Sequence, residues 1–178
     1  MIYYDNKEFK KFISNKDIKK RILELSIFIN QHYKNEDEEI IILCVLDGAV
    51  PLFSELTKNL KIIYLTDYVK LSSYKGTTKS SGKVDIIIDL KLNVKNKKIL
   101  IVEDIIDTGT TLDFLNKKLL SMGVKEIKIF SLLLKRIKYK FDTPIDWYGF
   151  EIEDLFTIGY GMDYKFKFRG LNDIYVLK

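Results

Sequence analysis

The sequence predicts an α/β fold built on a mainly parallel central sheet, and three observations carry that expectation. The run I-I-I-L-C-V-L at 40–46 is apolar at every position and short for a helix, as is the apolar part of 98–103, which marks strands buried on both faces. Segments with apolar residues at helical spacing lie between such runs, the alternation expected of βα units. The 178 residues are 47% hydrophobic and contain two prolines and nine glycines without linker, repeat or low-complexity block, so one domain over 1–178 is expected.

The elements follow in chain order. Residues 16–33 carry Ile18, Ile22, Leu25 and Ile29 on one face of a helix, closed by His32, the lone histidine, for which a solvated or capping role is expected. K-N-E-D-E-E at 34–39 is a charged loop. The strand at 40–46 holds Cys44, the only cysteine, which has no intrachain disulfide partner and reads as core. Gly48 follows at once, and Ala49, Phe53, Leu56 and Leu60 stripe a second helix. A strand at 61–68 leads into L-S-S-Y-K-G-T-T-K-S-S-G (71–82), the most polar stretch, expected to be a mobile loop. Val84, Ile86, Ile88 and Leu90 alternate with Asp85 and Asp89 in a half-exposed strand antiparallel to the one before the loop. After the strand at 98–103 comes a helix with Leu112, Leu115, Leu119 and Met122 on one side and Gly123 at its C-cap. Further strands are expected at 126–134, 145–150, 157–160 and 173–177.

Charge narrows the partners. Thirty Lys and Arg stand against 25 Asp and Glu, a formal charge of +5, but only Arg21, Arg136 and Arg169 are arginines. Widespread bidentate readout of bases or phosphates is thereby excluded, and the excess reads as a Lys-rich surface without a nucleic-acid partner. No basic-then-apolar leader is present, and no apolar stretch approaches the roughly 18 residues of a membrane span. A soluble, cytoplasmic protein with no membrane partner is the expectation.

The chemistry concentrates in I-V-E-D-I-I-D-T-G-T-T-L, residues 101–112, where a buried strand meets two adjacent acids and passes through a Gly/Thr turn into a helix. Open α/β sheets bind ligands at the carboxyl ends of their strands. The turn Thr108, Gly109, Thr110 and Thr111 gathers backbone N–H groups, hydroxyls and a helix N-terminus, a cradle for a monophosphate. Glu103 and Asp104 would be repelled by that phosphate and suit sugar hydroxyls or a hydrated Mg²⁺ instead. Acids that merely cap a helix are the plain alternative; an acid pair, a third acid at Asp107 and the turn in one place argue against it.

These residues resemble the signature of the type I phosphoribosyltransferases: an apolar run, two acids, three variable residues and T-G-x-T. An acid before T-G, here Asp107, looks like the members that act on 6-oxopurines, and the resemblance extends from about residue 18 to residue 177. V-L-D-G-A-V (45–50) is similar to the family's pyrophosphate loop, implying a cis Leu46–Asp47 peptide and a backbone contact at Gly48. The family usually carries Lys or Arg where this chain has Asp47. L-S-S-Y (71–74) resembles the catalytic lid, which implies that Ser73 and Tyr74 fold over the reacting groups. Lys135 in S-L-L-L-K matches the lysine that meets the purine's exocyclic oxygen. In F-E-I-E-D-L-F-T-I-G-Y-G-M-D-Y (150–164) the resemblance implies that Phe156 stacks on the base, Thr157 offers backbone groups to its edge and Asp163 holds a second metal ion. Arg169 matches the arginine on pyrophosphate.

The resemblance implies the type I fold, with a small hood subdomain formed by the N-terminal and C-terminal segments. It implies Mg²⁺-dependent transfer of 5-phosphoribose from phosphoribosyl pyrophosphate to hypoxanthine or guanine in purine salvage, giving IMP or GMP and pyrophosphate. Glu103, Asp104 and Asp163 would be the metal residues, Asp107 would hold the proton at purine N7, and the protein would be a homo-oligomer, a dimer or tetramer. The alternatives are a related enzyme for xanthine or a pyrimidine, and a non-catalytic nucleotide-sensing regulator of the same fold that binds RNA.

Overall fold

The computed structural model describes residues 1–35, 39–73 and 84–178. Along the chain these form β1 (Ile2–Tyr4), β2 (Lys7–Ile13), α1 (Asn15–Tyr33), β3 (Ile40–Leu46), α2 (Val50–Asn59), β4 (Tyr64–Ser73), β5 (Val84–Ile88), β6 (Lys98–Ile106), α3 (Thr110–Ser121), β7 (Glu126–Leu134), β8 (Trp147–Glu151), β9 (Thr157–Ile158) and β10 (Ile174–Leu177). Two sheets result. The larger has the order β5-β4-β3-β6-β7-β8 and is parallel except at β5; the smaller, β1-β2-β10-β9, joins the first strands of the chain to the last.

Burial explains why β3 and β6 are apolar throughout. Side chains alternate across a strand, so Ile40, Ile42 and Cys44 of β3, with Leu100 and Val102 of β6, meet Ile18, Ile22, Ile29, Leu52 and Leu56 of α1 and α2 on one face. Ile41, Leu43 and Val45, with Ile99 and Ile101, meet Leu112, Leu115 and Leu119 of α3 on the other. Each side chain so buried contributes roughly 1.5–3 kcal/mol. The helix ends follow local chemistry: the Ser14 side chain accepts from Asp17 N at the start of α1, and Gly123 turns the chain after α3 at φ +78°.

The strands differ from expectation where ladder pairing outweighs polarity. β4 continues through Leu71, Ser72 and Ser73, because these pair with Ile86, Asp85 and Val84 of β5. Residues 71–73 of the expected loop are therefore strand, and Tyr74 and the rest of 74–82 lie outside the described residues. β6 runs past the acid pair to Ile106, with Ile105 and Ile106 matched to Leu133 and Leu134 of β7, so Glu103 and Asp104 sit within the strand. β5 ends at Ile88, and β9 is only Thr157–Ile158. His32 is bonded rather than simply solvated: its Nε2 lies 3.2 Å from Glu126 Oε1 and its ring meets Trp147 edge-on.

Cys44 is fully buried, and that burial, with Glu103 and Asp104 nearby, pushes its thiol up to about 12. A thiol that does not ionise is inert. In the native protein at pH 8, Cys44 should stay unmodified by a thiol-specific disulfide reagent and react fully once denaturant is added; labelling of the folded protein would contradict the placement.

Candidate active site

The parallel strands present their C-terminal ends on one edge of the sheet. The chain leaves β3 through α2 to β4 on one side, whereas β6 flanks β3 on the other, so the order reverses between β3 and β6. Crevices at such reversals are where open sheets bind ligands. Here the Leu46–Asp47–Gly48 turn, with a cis peptide between Leu46 and Asp47, faces the acid pair of β6.

The approach is tight. A Cβ on Gly48 would overlap the Asp104 carboxylate, and one on Gly161, which holds φ +99°, would overlap the carbonyl oxygen of Gly48. Only glycines let three segments, the turn after β3, the end of β6 and the loop after β9, meet in this way. Glu103 is about 9% exposed, and burial pushes its carboxyl well above the usual carboxylate range, with the neighbouring Asp104 charge adding to the effect. Burial likewise raises Asp104, opposed by hydrogen bonds and by the Arg169 charge. The two carboxyls are thus short of positive charge, which suits hydroxyl donors or a hard cation with oxygen ligands. Mg²⁺ commonly takes one or two carboxylates and completes its shell with water and substrate phosphate. The pair fits that habit, and no cluster of three or more metal-ligating side chains lies among the described residues.

Beyond β6 lies the Gly/Thr turn for which a phosphate cradle is expected. Gly109, at φ +84°, caps α3 without a side-chain bond, Thr108 and Thr110 share a hydroxyl contact of 3.1 Å, and a cavity of about 90 Å³ is lined by Glu103 and residues 105–112. A Cβ at Gly109 would strike Tyr139, so the rings of Tyr139 and Phe141 wall the turn. Asp107 and Ile105 also border a second cleft, of about 220 Å³, whose other walls include Asp104, Lys135, Phe156, Thr157, Asp163 and Arg169. Asp107 thus stands between the cavity at the Gly/Thr turn and that cleft.

Around Asp107 lies a four-charge cluster of which the sequence reading named only half. Lys135 Nζ, almost buried, donates to Asp107 Oδ2 at 3.2 Å and to Asp154 Oδ1 at 3.0 Å; Lys138 Nζ lies 3.0 Å from Asp107 Oδ1 and 3.1 Å from Asp154 Oδ1. Bonds from the two lysines hold the Asp154 carboxyl below the usual range. Lys138 and Asp154 gave no sequence signal beyond K-R-I-K and an acid near the strand end. Phe156 exposes about 46% of its surface and meets Tyr164 edge-on, and the Thr157 hydroxyl donates to Met162 Sδ while Thr157 pairs with Val176 of β10.

Asp163 and Arg169 are brought together rather than apart: Arg169 NH2 lies 2.7 Å from Asp163 Oδ1, and its NH1 donates to Gly161 O at 2.7 Å. Asp47 Oδ2 lies 2.6 Å from Lys70 Nζ and 4.0 Å from Arg169 NH2. Ser73 is the last residue of β4, and Tyr74 lies outside the described residues.

Residues 10–165 match the family model described as the phosphoribosyl transferase domain. The chain belongs to the phosphoribosyltransferase family. It is 42% identical over 163 residues to the hypoxanthine-guanine-xanthine phosphoribosyltransferase of Tritrichomonas foetus, covering 91% of this chain and 87% of that protein. It is 40% identical over 169 residues to the hypoxanthine-guanine phosphoribosyltransferase of Bacillus subtilis, covering 95% and 93%. Among solved structures, a hypoxanthine phosphoribosyltransferase from Staphylococcus aureus superposes with TM-score 0.88 at 34% identity over 95% of this chain and 91% of the other. The Trypanosoma cruzi enzyme in complex with the product IMP gives 0.87 at 28% identity over 100% and 98%. In this phosphoribosyltransferase the acids, the Gly/Thr turn and the cleft all lie at one edge of the larger sheet.

The glycine contacts make a stability prediction. Gly161→Ala must displace the Gly48 backbone and adopt a left-handed conformation, at a cost of about 2–4 kcal/mol. Gly48→Ala meets a side chain and should cost less. Urea unfolding of both variants tests the ranking, and equal midpoints would refute it.

Proposed function

We propose that this phosphoribosyltransferase works in purine salvage, moving 5-phosphoribose from phosphoribosyl pyrophosphate to hypoxanthine or guanine with release of pyrophosphate. The observation that carries the reading is Asp107, bonded to Lys135 and placed between the phosphate cradle and the cleft. A purine in that cleft with its 6-oxo group toward Lys135 brings N7 toward Asp107. As N7 and N9 exchange roles during attack at the anomeric carbon, the Asp107 carboxylate accepts or holds the N7 proton. Lys135 donates to the 6-oxo oxygen and would meet a donor if adenine's amino group took its place, a mismatch of roughly 1–3 kcal/mol. Phe156 stacks on the base, and Thr157 addresses its edge through the backbone.

On the sugar side, Thr108, Gly109, Thr110 and Thr111 hold the 5-phosphate, and Glu103 and Asp104 hold the ribose hydroxyls. The backbone of the loop at Asp47 and Gly48, with Arg169, binds pyrophosphate. Mg²⁺, when bound near Glu103 and Asp104 and, as a second ion, near Asp163, supplies charge neutralisation of the diphosphate. Ser73 and Tyr74 close over the reactants and exclude water, which would otherwise hydrolyse the activated sugar. The whole chain, 1–178, acts as one domain, with the sheet of β1, β2, β9 and β10 as its hood. No described helix is long and apolar enough to cross a membrane, and we place the protein in the cytoplasm as a dimer or tetramer.

The likeness to the Tritrichomonas foetus protein, whose name includes xanthine, favours one second reading, in which xanthine is also accepted. Steady-state assay of hypoxanthine, guanine, xanthine, adenine and uracil with phosphoribosyl pyrophosphate and Mg²⁺ should show turnover with the first two and little with adenine or uracil. In that assay Asp107→Ala should lower kcat about 10²–10⁴-fold with small change in KM for the sugar donor; full turnover would remove Asp107 from the mechanism. Lys135→Ala should raise KM for hypoxanthine by about 10–100-fold, and an unchanged KM would mean that the purine lies elsewhere.

A further inference from the structure

We propose that Lys70 is a pyrophosphate-binding residue: aimed by Asp47, its ammonium brings to the donor's diphosphate the positive charge that the loop after β3 lacks. The inference rests on the phosphoribosyl-transfer reading above and adds to it a residue that reading does not use.

The need is electrostatic. Asp104 and Asp163 line the cleft and Asp47 lies close by, while Arg169, the side chain that the resemblance sets on pyrophosphate, is already 2.7 Å from Asp163. A diphosphate entering such a place meets like charge, and repulsion between close groups disfavours binding. Lys70 answers that deficit from β4. It is the register partner of Leu46, which puts it beside the turn that carries Asp47 and Gly48. The β4–β5 ladder shifts register between Lys70 and Leu71, an irregularity of the kind that re-aims a side chain at the edge of a site.

The geometry also shows how one anion can reach two cations. Asp47 Oδ2 lies 2.6 Å from Lys70 Nζ and 4.0 Å from Arg169 NH2, so ammonium and guanidinium, from β4 and from the segment before β10, turn toward a single carboxylate oxygen. The Lys70 and Arg169 side chains are 32% and 34% exposed, and that of Asp47 44%, so a ligand has access and Asp47 has solvent to turn into. A diphosphate carries more charge and more acceptor oxygens than a carboxylate, so it can bridge both cations with separate oxygens where Asp47 offers them one. Asp47 then serves to orient Lys70 before the ligand arrives.

The test uses inorganic pyrophosphate with Mg²⁺ in titration calorimetry, together with KM for phosphoribosyl pyrophosphate and for hypoxanthine. Lys70→Ala should weaken pyrophosphate binding about tenfold or more and raise the donor KM in step, with the hypoxanthine KM unchanged. Lys70→Arg should recover most of the affinity. The double variant Lys70→Ala with Asp47→Ala separates binding from mere neutralisation: it should stay weak if Lys70 touches the diphosphate. Wild-type pyrophosphate affinity in Lys70→Ala, or in the double variant, would overturn the proposal while leaving the transferase reading intact. Wild-type protein that neither binds pyrophosphate nor forms nucleotide would overturn both.

Discussion

The pairing of β3 with β6 is the constraint on which the rest of the site depends. Parallel register from Ile40 opposite Lys98 to Cys44 opposite Val102 puts the turn after one strand next to the acids of the other. The contact that follows is closer than any side chain allows, so Gly48 lies against Asp104 and Gly161 against Gly48. Apolar burial on both faces holds the two strands in place, and the register fixes where Asp104 stands. A one-residue slip would send the acids to the opposite faces.

Charge is distributed around that contact in pairs. The acids Glu103 and Asp104 are raised by burial, with the Arg169 charge opposing the shift at Asp104, whereas Asp107, Asp154, Asp163 and Asp47 each have a Lys or Arg within 3.2 Å. In a parallel sheet each strand end adds its own charged group to the same edge, so the cleft becomes a set of exchangeable ion pairs. Pairing of each acid with a cation limits the desolvation penalty that an isolated buried charge would carry.

The smaller sheet ties the ends of the chain to the Phe156 wall of the cleft. Leu177 of β10 donates to the carbonyl of Phe156, and the rings of Tyr4, Phe9, Tyr164 and Phe168 pack edge-on or tilted against one another. Phe156 meets Tyr164 of that group. The wall of the cleft is thereby set by residues more than 150 positions apart in sequence, Tyr4 and Tyr164 among them.

The sequence by itself determined the α/β class, the helices α1, α2 and α3, the buried strands β3 and β6, and the segment 101–112, because hydrophobic period and turn chemistry are local properties. The acids Glu103, Asp104 and Asp107 and the Gly/Thr turn stood out for the same reason, since they are neighbours in sequence, whereas Lys135 was singled out only through the family resemblance. β1 and β2 carry no strong period of their own, and β4 runs through Ser72 and Ser73 because β5 supplies its partners, not because its residues favour a strand. The joining of Asp47 to Lys70, of Asp163 to Arg169 and of Lys138 and Asp154 to Asp107 and Lys135 was decided by tertiary structure alone. Those partners come from different strands and loops, and only the parallel register that stacks the strand ends on one edge brings their charges within reach of each other.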